Sequence, residues 1–250
     1  MNKLALTITL CLFSVAISKA QTYDFLSSDL KRMTSNRGIQ INPLELEAYL
    51  YTGKKVEPSE VMNYLMKVEY QTALYSGTDS KPKVIVFEKA SEEAIATKIK
   101  MFEKAPGSDF LVGETPSDFT LKALDGQTVN LQNYKGQIVL LNFWFVGCKP
   151  CIMEMPELND IVTDFESEGV KFLAIGLDNP ERVKKFLETN AFDYQLLPNG
   201  RRVANEFGVT SYPTHLLLNR DGKVIFSQVG YFPGLQYALR KRLKDALEEK

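Results

Sequence analysis

The sequence predicts an α/β protein in which helices cover both faces of a mixed central sheet, preceded by a small α+β domain. Residues 137–145 form a nearly continuous apolar run, which is typical of a central strand covered on both faces. A second strand pattern follows at residues 170–177, one helix length later. The turn Asn219–Gly222 joins strand patterns at 214–218 and 223–228 into an antiparallel hairpin, so the sheet contains both strand directions.

The first residues of the chain have the pattern of an export signal. Lys3 precedes an apolar run over residues 4–17, and small residues at Ser18 and Ala20 predict cleavage after Ala20. The run is shorter than the ~20 apolar residues that span a bilayer. Two alternatives stay open: an uncleaved membrane anchor, and a lipoprotein at Cys11, which lacks a preceding lipobox. We therefore expect a signal peptide at 1–20 and an exported product, soluble in the bacterial periplasm or cell envelope.

The length and composition favour two folded domains. The chain has 250 residues, of which 44% are hydrophobic, so it can bury substantial cores. Its formal net charge of −1 gives no electrostatic reason to expect a nucleic-acid partner. The segment Ala105–Ser108, rich in small residues, predicts a boundary between an amino-terminal domain at 21–107, of unknown role, and a second domain at 108–250.

Each domain has its own pattern of elements. In the first domain we expect two helices, two strands and a third helix, in the order 42–53, from Pro58, 70–75, 83–87 and from Ser91. In the second domain we expect, besides the strands named above, a short strand at 129–131 and helices at 148–168, from Asn179, at 201–207 and at 235–247.

The cysteine content points to redox chemistry. Cleavage after Ala20 would leave two cysteines, Cys148 and Cys151, separated by two residues. A zinc site or a disulfide framework would need more ligands, and the chain has a single histidine, His215. We expect no metal and no cofactor beyond the redox-active Cys148–Cys151 disulfide.

The position of the pair predicts how it reacts. Cys148 follows a buried strand and begins a helix, where unpaired N–H groups and the helix dipole stabilise a thiolate. Its thiol pKa should therefore fall below the usual value of about 8.5, and Lys149 adds a positive charge. Pro150 suits the first helical turn, since it has no N–H to lose there. Cys148 should reach solvent and attack, and Cys151, one turn on, should resolve the mixed disulfide.

Several segments together resemble the TlpA/ResA-like branch of the thioredoxin-like superfamily, with an AhpC/TSA-redoxin type domain. The matching segments are Gly113–Leu121, Asp125–Gly126, Tyr134–Gly136, Leu141–Pro156, Gly208–Val209, Tyr212–Thr214 and Asp221–Gly222. The resemblance covers the chain from about Gly113 onwards. It implies a thioredoxin-like fold and the activity of a thiol–disulfide oxidoreductase.

The resemblance also assigns residues around the cysteines. It implies that Pro213 follows a cis peptide bond, packs against the cysteines and exposes the backbone of Tyr212 to an extended substrate. Trp144 matches a tryptophan near the pair, and Pro156 matches a proline that kinks the helix.

The chain departs from thioredoxins at one position beside the pair. A buried aspartate common in thioredoxins is replaced by Asn142, which cannot relay a proton. Glu154 follows Cys151 by one helical turn, and the resemblance to ResA-like proteins implies that it accepts the proton and adjusts the cysteine pKa; a solvated helix glutamate is the alternative. His215 is given no role.

Three functions remain open. The resemblance favours a reductase that serves redox homeostasis in the envelope by keeping exported thiols or haem-attachment cysteines reduced. The same residues would also serve a disulfide-forming oxidase, or a docking protein whose amino-terminal domain binds partners while the pair senses redox state. Peroxide reduction is disfavoured, because Phe145 and Leu141 stand where peroxiredoxins carry threonine and proline. The expected partners are protein thiols and disulfides, and an upstream electron-donating thiol protein that could be membrane-bound.

Overall fold

The computed structural model describes residues 23–34, 41–232 and 234–249, so the predicted signal peptide and Cys11 lie outside the described residues. The chain divides into two compact units, Met1–Met101 and Phe102–Lys250. This division falls slightly before the expected boundary at 107/108, which stays a prediction. None of the helices in the described part of the chain combines the length and apolarity needed to cross a membrane.

The first unit contains a five-stranded sheet with the order β1-β4-β5-β2-β3. Its elements are β1 Lys31–Arg32, β2 Glu47–Leu50, β3 Lys55–Val56, α1 Pro58–Met66, β4 Tyr70–Ser76, β5 Pro82–Lys89 and α2 Glu92–Glu103. The predicted β4–β5 hairpin and the helices at Pro58 and after Ser91 are confirmed.

One helix predicted in the first unit is wrong. Residues 42–53 form a short 3-10 turn at Pro43–Glu45 and then the strand β2. Asn42 caps the turn as predicted, with its side chain accepting a hydrogen bond from the Leu44 N–H. β2 pairs in parallel with the buried strand β5, and Ala48 is 1% exposed. Pairing with a strand distant in sequence therefore overrides the local helical pattern.

The second unit has the predicted mixed sheet, with the order β10-β9-β8-β11-β12 and a separate β6–β7 ladder. Its strands are β6 Thr120–Lys122, β7 Thr128–Asn130, β8 Val139–Trp144, β9 Lys171–Gly176, β10 Gln195–Leu197, β11 Thr214–Leu218 and β12 Val224–Val229. Its helices are α3 Lys149–Phe165, α4 Pro180–Leu187, α5 Arg201–Glu206 and α6 Leu235–Glu248. The short strands β6 and β10 were not predicted.

The two faces of β8 enter different hydrophobic clusters. Leu140 and Trp144 pack in the cluster that contains α3, while Leu141 and Phe143 pack in the cluster on the opposite face. Because side chains alternate along a strand, Asn142 lies on the α3 face. All six residues of β8 are buried, and the strand lies between parallel β9 and antiparallel β11. The centre of the sheet therefore presents one polar side chain of β8 to α3.

Candidate active site

The two cysteines form a disulfide at the amino end of α3. Their Cα atoms are 5.3 Å apart. Cys148 is the N-cap residue of α3, and its Sγ accepts a hydrogen bond from the Cys151 N–H at 3.3 Å. The Cys148 N–H donates to the Phe145 carbonyl at 3.1 Å, which closes the loop between β8 and α3. The sulfurs therefore lie where the first helical turn offers free N–H groups.

The expectation that Cys148 reaches solvent is wrong for this oxidised state. Cys148 is 3% exposed, and Cys151 is 1% exposed. Both cysteines belong to an apolar cluster, against which further, half-buried apolar side chains pack. These include Phe145, Val146 and Ile152, which are close to the cysteines in sequence, and Tyr212 and Phe232 from other loops. Lys149, in contrast, is exposed. The disulfide therefore belongs to a buried apolar cluster, while the charged side chain between the two cysteines faces solvent.

A carboxylate at the end of β9 holds the loop before Cys148. Asp178 Oδ2 accepts a hydrogen bond from the Val146 N–H at 2.6 Å. Its Oδ1 lies 2.9 Å from Nη1 of Arg182, and the Asp178 side chain is only 9% exposed. β8 and β9 are parallel neighbours, so their carboxyl ends meet at one edge of the sheet. The loop that carries Cys148 is therefore fixed from the adjacent strand.

The proline loop faces the same apolar cluster. The Tyr212–Pro213 peptide bond is cis, as the resemblance implied. The Tyr212 ring packs edge-on against Phe145, with ring centroids 5.5 Å apart, and Tyr212 is part of the rim of the cluster that contains the cysteines. The Pro213 carbonyl accepts a hydrogen bond from the Gly230 N–H at 2.7 Å. A direct contact between Pro213 and the cysteines stays a prediction.

Trp144 lies in the cluster that contains both cysteines. Its ring packs against Phe186 at 5.3 Å and Phe192 at 5.5 Å between centroids. The Trp144 Nε1–H is buried and has no hydrogen-bond partner among the described residues. Trp144 therefore shares a cluster with the redox pair and is also part of the hydrophobic core.

Behind the cysteines, Glu154 meets two polar residues of the central sheet. His215 Nε2 lies 3.0 Å from Glu154 Oε1, and Asn142 Nδ2 donates to the same oxygen at 3.3 Å. Asn142 Nδ2 also lies 3.3 Å from His215 Nδ1. Glu154 is 2% exposed, which excludes the alternative of a solvated helix glutamate. Three polar side chains from α3, β8 and β11 thus form one buried cluster, the Glu154–His215–Asn142 cluster.

The surroundings of this cluster are apolar and contain two phenols. Burial, and after it the charge of Glu154, raises the pKa of Tyr194 well above its usual value. Burial, Glu157 and then Glu154 raise the pKa of Tyr231. Both phenols are therefore neutral near pH 7 and add no negative charge to the site. Among the described residues, no group of three or more His, Cys, Asp or Glu side chains is arranged to hold a metal ion.

Comparison with known proteins identifies the family. The model of the AhpC/TSA family matches residues 112–227. The thiol-disulfide oxidoreductase ResA of Geobacillus thermodenitrificans is 37% identical over 115 residues, which are 45% of this chain and 66% of that protein. ResA of Bacillus thuringiensis strain Al Hakam is 31% identical over 121 residues, covering 48% of this chain and 70% of that protein. The chain belongs to the ResA family of thiol–disulfide oxidoreductases. The matched part spans about two thirds of the length of these two relatives.

Solved structures agree with the fold of this ResA-family chain. A crystal structure described as the thiol:disulfide interchange protein DsbE from Chlorobium tepidum is 29% identical, with a TM-score of 0.51, and covers 54% of this chain and 97% of that one. A solution structure described as a protein disulfide isomerase from Bacteroides thetaiotaomicron has a TM-score of 0.53 at 24% identity and covers 58% of this chain and 95% of that one. The predicted thioredoxin-like fold is thereby confirmed. The first unit lies outside the matched family segment.

Sequence reasoning missed two residues of this ResA-family site. His215 was assigned no role, yet it contacts the candidate proton acceptor. A signal was present, because Asn142 interrupts a long apolar run and His215 is directly followed by three leucines in a predicted strand. Asp178 was also missed, although an acidic residue at the carboxyl end of a strand beside β8 could have indicated a contact with the cysteine loop.

Proposed function

We propose that this protein is an exported thiol–disulfide reductase that transfers electrons to disulfides of partner proteins through Cys148 and Cys151. The observation that carries the proposal is the Cys148–Cys151 disulfide at the amino end of α3, in an apolar cluster against which Tyr212 of the proline loop packs. The ResA family membership supports the reaction class. The apolar leader at residues 1–20 supports export to the periplasm or cell envelope.

The reaction proceeds in two exchange steps. The thiolate of reduced Cys148 attacks one sulfur of a partner disulfide, and the partner's other sulfur leaves as a thiolate that takes up a proton. Cys151 then gives its thiol proton to Glu154 and attacks Cys148 Sγ, so that the partner's remaining sulfur leaves as a thiolate. This second thiolate takes up a proton, from Glu154 or from water, so the partner has gained two electrons and two protons and becomes a dithiol, while Cys148 and Cys151 become the disulfide.

The electrostatic surroundings of the pair favour the reducing direction. A cysteine pair is a strong oxidant as a disulfide when the thiolate of its reduced form is highly stabilised. Here the helix amino end and Lys149 favour the thiolate, but Lys149 is exposed and water screens its charge. Burial of both sulfurs opposes the thiolate, and so does Glu154, whose charge is buried and weakly screened. Where burial and Glu154 outweigh the helix end and Lys149, the disulfide is the favoured product, and the reduction potential of the pair measures which effect is larger.

The supporting residues have distinct tasks in this proposal. Trp144 packs beside the pair and shapes the apolar cluster. Pro150 lies in the first turn of α3, where its lack of an N–H removes no helical hydrogen bond. Lys149 is exposed to solvent, where it contacts the incoming substrate polypeptide. Tyr212 contributes an aromatic rim, and the loop at Pro213 offers backbone to an extended substrate segment.

The proposed partners follow from this chemistry. Protein thiols and disulfides of the envelope are the substrates, and a thiol protein upstream, for which a membrane-bound one is an option, restores the dithiol. The mechanism uses no cofactor besides the cysteine pair, and no nucleic acid. The near-neutral charge of the chain supports a protein substrate selected by contacts rather than by long-range attraction.

Reduction of insulin tests the proposal. Residues 21–250, supplied with dithiothreitol, should accelerate the precipitation of insulin chains, and Cys148→Ser should abolish the acceleration. Cys151→Ser should accumulate a mixed disulfide with insulin through Cys148, detected as a mass adduct. The proposal is wrong if the folded protein leaves insulin intact. It is also wrong in direction if the disulfide form oxidises reduced ribonuclease faster than the dithiol form reduces insulin.

A further inference from the structure

His215 lies at the centre of the sheet, opposite Asn142. The antiparallel register of β8 and β11 pairs these two residues directly, so both side chains extend from the same face of the sheet. That face is the one covered by α3, where Glu154 lies. His215 is 0% exposed and contacts Glu154 from β11. The single histidine of the chain is thus buried against the candidate proton acceptor.

The hydrogen-bonding capacities of the three side chains fit one arrangement. An ionised Glu154 accepts hydrogen bonds only, so the Nδ2 amide group of Asn142 and the Nε2–H of His215 both donate to Oε1. His215 Nδ1 then accepts the second amide hydrogen of Asn142. The neutral Nε2–H tautomer of His215 satisfies the two shorter contacts, to Glu154 Oε1 and from Asn142 at Nδ1, and leaves only the 3.5 Å approach of Asn142 Nδ2 to Nε2 without a hydrogen bond. A proton on Nδ1 would instead face the amide donor of Asn142 at 3.3 Å.

The two oxygens of Glu154 are therefore different. Oε1 accepts from two donors, which can stay in place whether the carboxyl group is ionised or protonated. Oε2 is buried and has no hydrogen-bond partner among the described residues. Glu154 follows Cys151 by one helical turn, so its side chain lies on the Cys151 side of α3. The oxygen without a partner is the one available for a proton from Cys151.

We propose that His215 is a positioning residue: it holds Oε1 of Glu154, with Asn142, so that Oε2 accepts the Cys151 thiol proton during resolution of the mixed disulfide. This inference rests on the proposed function. His215 transfers no proton itself; it stabilises the ionised, proton-accepting form of Glu154. Without the Nε2–H donor, Oε1 would lose one of its two hydrogen bonds, and the ionised form that accepts the proton would be less stabilised.

The two phenols near Glu154 keep their protonation state over the pH range of the test. Tyr194, from the segment before β10, and Tyr231, from the segment after β12, remain neutral because their pKa values are raised. Glu157, on α3, acts on Tyr231 together with Glu154. The residue paired with His215 on β12 is the uncharged Gln228. Among the described residues at this face, the groups able to exchange protons are therefore Glu154 itself, His215, Glu157, the two phenols and the two cysteines.

The test separates resolution from attack. The dithiol form is mixed with a peptide disulfide, and Cys148–Cys151 formation is followed by the fluorescence of Trp144, the single tryptophan of the chain, with acid quenching and mass analysis as a second readout. We expect His215→Leu to slow resolution about tenfold at pH 7 and to move its pH profile about one unit upward. His215→Gln keeps an N–H donor and should restore the wild-type profile within about twofold.

Each other outcome contradicts the proposal. If His215→Leu leaves the pH profile in place, His215 does not act through Glu154. If His215→Gln behaves like His215→Leu, either the imidazole itself carries the proton or the change is merely structural. The attack step, measured by alkylation of Cys148 in the Cys151→Ser background, should not change in either variant. Failure of the wild-type protein to react with any disulfide would overturn the proposed function instead, so the two failures are distinguishable.

Discussion

Two buried glutamates, one in each unit, differ in how their carboxylate oxygens are used. In the first unit, Arg32 donates to both oxygens of Glu88, at 2.7 Å and 2.9 Å, and the Tyr23 hydroxyl donates to Oε1 at 3.2 Å. In the second unit, His215 and Asn142 share one oxygen of Glu154 and leave the other without a partner. Glu88 is 6% exposed and Glu154 is 2% exposed, so burial does not distinguish them.

The difference in partners separates a structural carboxylate from a reactive one. A bidentate arginine is permanently charged and leaves no oxygen of Glu88 free to take a proton. The partners of Glu154 both contact Oε1 and leave Oε2 without a hydrogen bond, at a position one turn from Cys151. Glu88 should therefore contribute to stability, and Glu154 to proton transfer.

The largest expected effect comes from Glu154→Gln. Removal of the proton acceptor should slow resolution of the mixed disulfide by about 100-fold at pH 7, because a positioned general base contributes at least that factor. Stopped-flow fluorescence of Trp144 measures it, and Glu88→Gln is the matched control, which should leave the rate unchanged. Equal rates for wild type and Glu154→Gln would remove the distinction between the two carboxylates.

The reverse comparison concerns stability. Glu88→Gln should lower the free energy of unfolding by about 2 kcal/mol, less than the cost of breaking a fully buried pair, because the Arg32 side chain is 28% exposed. Glu154→Gln should change it by less than about 1 kcal/mol, since it removes a buried charge that is incompletely paired. Urea denaturation followed by circular dichroism measures both values. If Glu154→Gln lowered the free energy of unfolding more than Glu88→Gln does, Glu154 rather than Glu88 would be the structural carboxylate.

A third carboxylate sharpens the comparison by acting on the other chemical step. Asp178→Ala removes the acceptor of the Val146 N–H and loosens the loop before Cys148. We expect attack by Cys148 to slow roughly tenfold, because misplacement of a reacting group lowers the rate. Alkylation of Cys148 in the Cys151→Ser background measures this step. An unchanged alkylation rate, or a slower resolution step instead, would show that Asp178 does not position the loop.

The smallest expected effect belongs to the partner of Asp178. Arg182 is 63% exposed, and ion pairs of this kind contribute little. Arg182→Ala should change the free energy of unfolding by less than about 0.5 kcal/mol and leave attack by Cys148 within about twofold. A loss as large as that of Asp178→Ala would mean that the ion pair, rather than the hydrogen bond to Val146, holds the loop.

The sequence was sufficient for the features that depend on local pattern. The six buried residues of β8, the cap of α3 and the β11–β12 hairpin follow from apolar runs, caps and turn residues. The strand β2 was predicted as a helix, because its place in the sheet depends on pairing with β5, more than 30 residues away. Local pattern does not contain such long-range pairing.

For the site, the sequence predicted the reacting sulfurs and the candidate base but not their surroundings. Glu154 and His215 are separated by about 60 residues and meet because β11 pairs with β8 in one register. A shift of that register by one residue would turn His215 to the opposite face of the sheet. The burial of Cys148 likewise depends on apolar side chains from several loops, so neither feature could be derived from spacing alone.

The reduction potential of the Cys148–Cys151 pair is the most direct test of whether the pair acts as a reductant of partner disulfides. Residues 21–250 are equilibrated in dithiothreitol redox buffers, and the fraction of dithiol is measured by alkylation and mass analysis. We expect a reversible two-electron couple with a midpoint of about −270 mV or lower, because burial and Glu154 both disfavour the thiolate of the reduced pair. A midpoint near about −120 mV, or no reversible couple, would contradict it.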